Sequence, residues 1–185
     1  MTAADEQQLI LQVKEGSHDA FRILVERYMK HAYNIAYGFV RDHHDAEDIS
    51  QESFVRAFQS MRSFRGDAGF GTWLYRIVTN LSLNRIRQKK HTAEREIHSW
   101  DEAMLQRNNH IDGADNQDMR MHIERTLHEL STLQRAVVIL RHFNGMSTKQ
   151  VSTILQCSEG TVKTHLHRGL KKMKSKMIFL KDELT

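Results

Sequence analysis

Residues 63–90 read SFRGDAGFGTWLYRIVTNLSLNRIRQKK, which is a glycine-rich loop followed by a long helical pattern. Gly66, Gly69 and Gly71 lie close together, and glycines so placed mark backbone that bends sharply or is approached closely. The aromatic side chains around this loop are Phe64, Phe70, Trp73 and Tyr75. We expect Thr72 to cap the helix that follows.

This helix is predicted to have two separate faces at 3.6 residues per turn. The apolar face, typical of a helix packed on a core, holds Leu74, Ile77, Val78 and Leu81. The second face holds Trp73, Arg76, Asn80, Asn84 and Arg87. Aromatic rings stack on bases, amides bond to base edges and guanidiniums hold phosphates, and the aromatic loop could receive a base taken out of the stack. Each residue alone is also explained as core or as solvated charge, but together they favour nucleic acid.

The C-terminal third carries a second pattern, which predicts a helix-turn-helix. Ser131 and Ser147 each begin a capping box. A short helix, a tight turn at 156–158 and a longer basic helix capped by Ser158 complete the motif. The residues that this last helix offers to base edges and phosphates are Glu159, Thr161, Lys163, Thr164, His165, His167, Arg168 and Lys171.

Residues 45–61 predict a helix with one apolar and one charged face. The charged face is formed by Asp45, Asp48, Glu52 and Arg56. Three carboxylates would repel the phosphates of DNA, and they suit a basic protein partner instead. An ordinary solvated face explains any one of these carboxylates equally well.

Three blocks of the chain resemble the extracytoplasmic-function sigma factors, the small two-domain subunits of bacterial RNA polymerase. FRGDAGFGTWLYRIVTNLSLN (64–84) is similar to their promoter-reading segment, and DAEDISQESFVRAF (45–58) to their core-polymerase-binding helix. STKQVSTILQCSEGTVKTHLHRGLKKM (147–173) is similar to their second DNA-reading domain. The blocks occur in the family's order over nearly the whole chain.

The resemblance implies an all-α protein of two small helical domains. Residues 1–90 would form sigma region 2, which binds core polymerase and recognises and melts the −10 element. Residues 119–185 would form sigma region 4, whose helix-turn-helix recognises the −35 element. Residues 91–118 lose the helical periodicity and predict a flexible acidic linker. By resemblance the linker runs through the polymerase, and a simple tether is the alternative.

The resemblance also implies roles for individual residues. The −10 contacts would be Phe64, Arg65, Gly66, Asp67, Trp73, Arg76, Asn80, Asn84 and Arg87. Among them, Asn80 and the loop 64–67 would hold a flipped base of the non-template strand. The residues named on the last helix would read the −35 element, although the family often has Arg where this chain has Lys163 or His165.

The implied partners are core polymerase, promoter DNA and an anti-sigma factor. Asp45, Asp48, Glu52 and Arg56 would dock on the clamp helices of the β′ subunit, and the β flap would be a further contact. No cofactor and no metal are expected. The implied location is the cytoplasm, with an anti-sigma factor able to hold the chain at the inner membrane.

Composition agrees with this interpretation. A chain of 185 residues suffices for two small domains, and it has no apolar run of membrane-spanning length and no secretory signal pattern. Its single cysteine, Cys157, suits a reducing compartment. The net charge is +2 over residues 1–90, −5 over 91–118 and +7 over 119–185, so the last third is the part attracted to a polyanion.

Two alternatives come from other classes of protein. EGTVKTHLHRGLKKM (159–173) also resembles the recognition helix of LuxR-type autonomous regulators, in which residues 45–90 would have no purpose. A metal-dependent enzyme could be built on residues 42–48, but adjacent histidines do not share one helical face and the sequence offers no second ligand set. Without a nucleophile–base arrangement, the chain is predicted not to be an enzyme.

Overall fold

The computed structural model describes residues 3–97 and 122–183, and every regular element within those ranges is helical. The first range holds α1 (Ala3–Lys14), α2 (His18–Val40), α3 (His43–Ser60), a 3₁₀ turn (Met61–Ser63) and α4 (Phe70–Ile97). The second range holds α5 (122–128), α6 (Thr132–Val138), a π-helical turn (Ile139–Phe143), α7 (Thr148–Leu155) and α8 (Glu159–Glu183). The all-α prediction is confirmed.

The helices α1 to α4 form one bundle because each has apolar side chains at three- and four-residue spacing. Leu24, Ile35 and Phe39 of α2 are almost completely buried, as are Leu74 and Val78 of α4. The helix α3 packs against both α2 and α4. The apolar stripe predicted for α4 therefore faces the core.

Side-chain caps begin the second and third helices, as their sequences indicate. The Oγ of Ser17 accepts a hydrogen bond from the N–H of Ala20 at 3.2 Å, at the start of α2. The carboxylate of Asp42 accepts one from the N–H of Asp45 at 2.8 Å, at the start of α3. Between these helices Arg41 adopts a left-handed conformation with φ of 55°, which lets the chain reverse in two residues.

The C-terminal domain is organised by its caps and by one close helix crossing. Both predicted capping boxes, which begin at Ser131 and Ser147, are present. The helix α6 runs directly into the π-helical turn, whose residues 139 and 140 are fully buried. The helix α8 crosses α6 at Gly169, where a Cβ atom would lie 2.8 Å from Cγ2 of Val138. A residue without a side chain is what permits this crossing.

The two domains pack against each other. The helix α2 contacts the π-helical turn and α4 contacts α7, and the apolar residues of both domains join in one core cluster. At the edge, Nε of Arg41 lies 3.6 Å from a carboxylate oxygen of Glu124. A cleft of about 220 Å³ remains beside this ion pair, and its lining includes Tyr37, Leu127 and Phe143.

The bounds of α4 differ from the expectation at both ends. The helix begins at Phe70, and the N–H of Trp73 donates to the carbonyl of Gly69 at 3.2 Å. Thr72 therefore lies inside the first turn and is not the N-cap, because burial of the Phe70 ring brings the helix start forward. At the other end α4 continues to Ile97, since residues 91–97 contain no glycine or proline to stop it. The remainder of the predicted linker, residues 98–118, lies outside the described residues.

Candidate nucleic-acid interface

Four exposed side chains form a line along α4, on the side away from the core. They are Arg76, Asn80, Asn84 and Arg87. Steps of four, four and three residues place them on one helix face, while Leu74 and Val78 are buried on another. Trp73 stands half-buried at the head of the line. The predicted polar stripe is therefore a continuous surface, and its contact with DNA stays a prediction.

The loop that precedes α4 rests on packed aromatic rings. The ring centroid of Phe64 lies 4.9 Å from that of Trp73 and 6.2 Å from that of Phe70, which in turn lies 5.4 Å from Tyr28. Phe64 is only 6% exposed, and its expected role as a direct DNA contact stays a prediction. Its ring packs in the core against its two aromatic neighbours, Phe70 and Trp73, and in this way it supports the loop. The exposed residues of the loop are Arg65, Gly66 and Asp67.

Beneath the start of α4, two tyrosines join α1, α2 and α4. The hydroxyl of Tyr28 donates to the carboxylate of Glu6, which also pairs with Arg27 at 3.5 Å. Burial raises the pKa of Tyr75 to about 12, and burial with the Glu6 hydrogen bond raises the pKa of Tyr28. Gly71 is approached closely, since a Cβ there would lie 2.7 Å from Cε1 of Tyr28. The start of α4 therefore packs closely against α2, which is joined in turn to α1.

The charged face of α3 is smaller than expected, because Asp45 is buried. Its carboxylate accepts a hydrogen bond from Nη1 of Arg85 at 2.5 Å and forms an ion pair with Nζ of Lys89. Asp45 is thus a tie between α3 and α4, and its expected place on the docking face is corrected. Because Arg85 and Lys89 pair with Asp45, two of the cations near the basic end of α4 are engaged within the protein. Sequence spacing could not reveal this, because the partners lie 40 or more residues away.

The rest of that face is exposed or half-buried, as expected. Asp48 and Arg56 are exposed, and Glu52 pairs with Arg56 one turn away at 2.5 Å. Val55 lies among them with 55% of its surface exposed. The exposed part of this face is therefore smaller and less acidic than the sequence predicted, and its contact with a protein partner stays a prediction.

The recognition helix α8 presents most of its predicted contacts to solvent. The exposed residues are Glu159, Lys163, Thr164, His167, Arg168 and Lys171, whereas Thr161 and His165 are half-buried. The N–H of Thr161 donates to Oγ of Ser158 at 3.0 Å, which confirms the expected cap of α8. Cys157 lies in the turn before the helix, where burial raises the pKa of its thiol.

Two cations in the later turns of α8 are engaged within the protein. Nζ of Lys172 donates to the carbonyl of Glu129 at 2.6 Å, and Nζ of Lys176 lies 3.2 Å from the carboxylate of the same residue. These contacts connect α8 to the end of α5. Lys163, Arg168 and Lys171 are therefore the stronger candidates for phosphate contacts.

Among the candidate metal ligands of residues 42–48, His43 contacts two tyrosines. The Nδ1 atom of His43 lies 2.5 Å from the hydroxyl of Tyr33, and its ring centroid lies 4.7 Å from that of Tyr37. Within residues 3–97 and 122–183, no group of three or more His, Cys, Asp or Glu side chains could hold a metal ion. In the same part of the chain, no helix has the length and apolar character to cross a membrane.

Comparisons with known proteins agree with this geometry. Residues 24–92 match the Sigma-70 region 2 family, and residues 120–173 match the Sigma-70, region 4 family. The chain is 34% identical over 176 residues to the ECF RNA polymerase sigma factor SigW of Bacillus subtilis, covering 91% of this chain and 94% of SigW. It is 33% identical over 183 residues to the RNA polymerase sigma-H factor of Pseudomonas aeruginosa, covering 91% and 92% of the two chains.

Solved structures show the same fold. CnrH, in complex with the cytosolic domain of CnrY, has a TM-score of 0.71 at 24% identity, over 92% of this chain and 96% of CnrH. RpoE of Bartonella quintana, in complex with the anti-sigma factor NepR, has a TM-score of 0.65 at 22% identity, over 85% and 96%. With its helical bundle, its helix-turn-helix and these relatives, the chain belongs to the extracytoplasmic-function sigma factor family.

Proposed function

We propose that this chain directs bacterial RNA polymerase to promoters as a specificity subunit without catalytic activity of its own. The observation that carries the proposal is the exposed line of α4, which begins beside the aromatic-based loop and lies in the Sigma-70 region 2 match. A helix-turn-helix with an exposed basic helix lies in the region 4 match. Two nucleic-acid-reading surfaces on one chain fit the two elements of a promoter.

The proposed −10 site lies on the first domain. The amides of Asn80 and Asn84 offer both a donor and an acceptor to a base edge, and Arg76 and Arg87 offer guanidiniums to phosphates. The exposed loop residues 65–67 would enclose a base that leaves the stack. The proposed −35 site is the exposed start of α8, which enters the major groove in proteins with this motif.

Energies of stacking indicate that the chain does not open DNA alone. Each lost stacking step costs about 1.4 kcal/mol. Each base captured on an aromatic side chain returns about 1–3 kcal/mol. One loop and one half-buried tryptophan, Trp73, therefore cannot hold several base pairs open. A larger DNA-binding machine has to supply the remaining free energy, as core polymerase would.

The proposed docking surface for core polymerase is the exposed face of α3. Asp48 and Glu52 would attract a basic surface, and the exposed Val55 would bury its methyl groups against an apolar one. The clamp helices of the β′ subunit are the partner that the family membership suggests. The buried Asp45 would contribute only by holding α3 against α4.

Transcription in vitro tests this function. Purified chain and core polymerase would be incubated with a promoter library, and the transcripts would be sequenced. We expect discrete start sites preceded by two sequence elements, and their absence would refute the proposal. The docking surface is tested with Asp48→Lys plus Glu52→Lys, which should reduce polymerase binding at least tenfold and leave −35 duplex binding unchanged. The matched control is Asp19→Lys plus Glu26→Lys, because it makes the same charge change at exposed positions of α2.

An anti-sigma factor and a cytoplasmic location are part of the proposal. Among solved structures with this fold, one is CnrH in complex with the cytosolic domain of CnrY, and another is the sigma factor RpoE in complex with the anti-sigma factor NepR. A membrane-anchored anti-sigma factor would hold the chain at the inner membrane. The LuxR-type alternative is not favoured, because the region 2 match accounts for the segment that an autonomous regulator would not need.

A further inference from the structure

The first helix makes a polar contact with the loop of the proposed −10 site. Nζ of Lys14, the last residue of α1, donates a hydrogen bond to the carbonyl of Phe64 at 2.7 Å. The same ammonium group lies 5.8 Å from the centroid of the Phe64 ring. Lys14 is half-buried, so its charge is partly withdrawn from water and this contact replaces lost hydration.

The backbone that carries Lys14 is firmly placed. The N–H of Gly16 donates to the carbonyl of Val13, and the N–H of Ser17 donates to the carbonyl of Gln12, which together form a Schellman motif. Gly16 has φ of +103°, the conformation that this motif requires. Val13 is buried in the core, so the end of α1 is anchored on both its apolar and its polar side.

Phe64 is the last buried residue before the exposed loop residues 65–67. Its N–H donates to the carbonyl of Met61 at 3.1 Å, and its ring packs on Trp73. Its carbonyl accepts the hydrogen bond from Nζ of Lys14. The next three residues are exposed, and Gly66 has φ of +81°. The carbonyl of Phe64 belongs to the peptide unit that joins Phe64 to Arg65. The hydrogen bond from Lys14 therefore orients the peptide unit with which the loop begins.

We propose that Lys14 is a positioning residue for the proposed −10 site, which makes α1 part of the promoter-reading apparatus. This inference rests on the proposed function, and it assigns a role to a helix that lies before the Sigma-70 region 2 match, which begins at residue 24. Lys14 orders the loop before DNA arrives, so the loop loses less conformational freedom when it encloses a base. Lys14 itself need not touch DNA.

The test uses holoenzyme reconstituted from core polymerase and full-length variants. Lys14→Met keeps the apolar stem and removes the donor, whereas Lys14→Arg restores a cationic donor. Lys30→Met is the matched control, because it removes one exposed cation from α2. The probes are a single strand carrying the −10 sequence selected in the transcription experiment, and a −35 duplex. Affinity is measured at several salt concentrations, and amide hydrogen exchange is measured over residues 64–69.

We expect Lys14→Met to weaken binding of the single strand about fivefold, a change of about 1 kcal/mol. Lys14→Arg should recover most of that affinity, and the control should stay within twofold of the parent chain. Exchange at residues 64–69 should accelerate in Lys14→Met, while binding of the −35 duplex should not change. The salt dependence should keep its slope, because a residue that only positions the loop releases no counterion.

Three results would overturn the role of Lys14. A slope that falls by about one would show that Lys14 contacts a phosphate directly. An equal loss on the −35 duplex would show general unfolding. Unchanged single-strand binding in Lys14→Met, alongside a loss in Asn80→Ala, would remove the inference and leave the proposed function standing. If the parent chain selects no promoter, the proposed function itself fails.

Discussion

Gly38 of α2 lies directly against Ile139 of the π-helical turn, so that a Cβ atom at position 38 would be only 2.9 Å from Cγ2 of Ile139. Ile139 is fully buried, and both residues lie where the two domains meet. The absence of a side chain on one face of α2 thus sets how closely the domains approach. Glycine in a helix interior costs stability, and the close domain contact compensates for that cost.

Gly38→Ala is expected to weaken the packing of the two domains. The new methyl group overlaps Ile139, at a cost of about 1–2 kcal/mol that is present only in the packed state. The gain in helix propensity applies equally to packed and separated domains, so it does not offset this cost. Small-angle X-ray scattering should show a larger radius of gyration. Gly69→Ala is the control, since nothing lies within 4 Å of that position, and identical scattering by both variants would contradict the prediction.

Asn80→Ala is expected to reduce binding of −10 single-stranded DNA by holoenzyme about tenfold. An amide paired with a base edge contributes about 1–3 kcal/mol of discrimination. Because Asn80 is exposed, the free energy of unfolding should change by less than about 0.5 kcal/mol. Asn34→Ala removes an exposed amide of the same kind from α2, away from this line, and it should bind as the parent chain does. Fluorescence anisotropy with labelled DNA measures both, and equal affinities of the two variants would argue against a base contact at Asn80.

Asp45 and Asp48 are expected to have opposite phenotypes, although both were predicted to serve the same face. Asp45→Asn removes the charge that holds Arg85 and Lys89, and should lower the free energy of unfolding by about 2 kcal/mol. Asp48→Asn is exposed and should change it by less than about 0.5 kcal/mol. Urea denaturation followed by circular dichroism measures this difference. If the two variants were equally stable, the ion pairs of Asp45 with Arg85 and Lys89 would contribute little to the free energy of unfolding.

Lys171→Ala is expected to reduce the salt dependence of −35 duplex binding. Removal of one phosphate contact should make the slope of log affinity against log salt shallower by about 0.9. Lys176→Ala removes the same charge, but this ammonium already pairs with Glu129, so the slope should change less. Titrations at four or five salt concentrations distinguish the two variants. A larger effect at position 176 would place the DNA along the later turns of α8.

The first domain is expected to lose stability above pH 10, in part through Tyr75. The folded-state pKa of about 12 lies above the ordinary value of 10.0, so the native state retains the proton while the unfolded chain releases it. Stability is therefore fully present below pH 10 and falls as pH rises towards 12, by about 2 kcal/mol from this residue. Thermal unfolding of Tyr75→Phe should show a smaller fall over that window than the parent chain. Parallel curves would mean that Tyr75 ionises equally in both states.

Helices, caps and the helix-turn-helix were predictable from the sequence because each depends on residues within a few positions of one another. The spacing of Leu74 and Val78 determines which side of α4 packs inward, and the Ser–Gln pairs that begin at Ser131 and Ser147 determine where α6 and α7 start. The polar line of α4 followed from the same periodicity. The resemblance of three blocks to one family then indicated the family of the chain, which the family matches confirm.

The contacts of Asp45, Phe64 and Lys14 depended on tertiary structure. A carboxylate on a helix looks the same in sequence whether it faces water or a guanidinium 40 residues away, and burial is decided by which distant segments meet. The same holds for Gly38, whose partner belongs to the other domain. The amino-acid sequence determined the helices, their faces and the family. Packing between distant segments decided which of those faces remain exposed to solvent, because burial and ion pairing depend on distances in space and not on spacing along the chain.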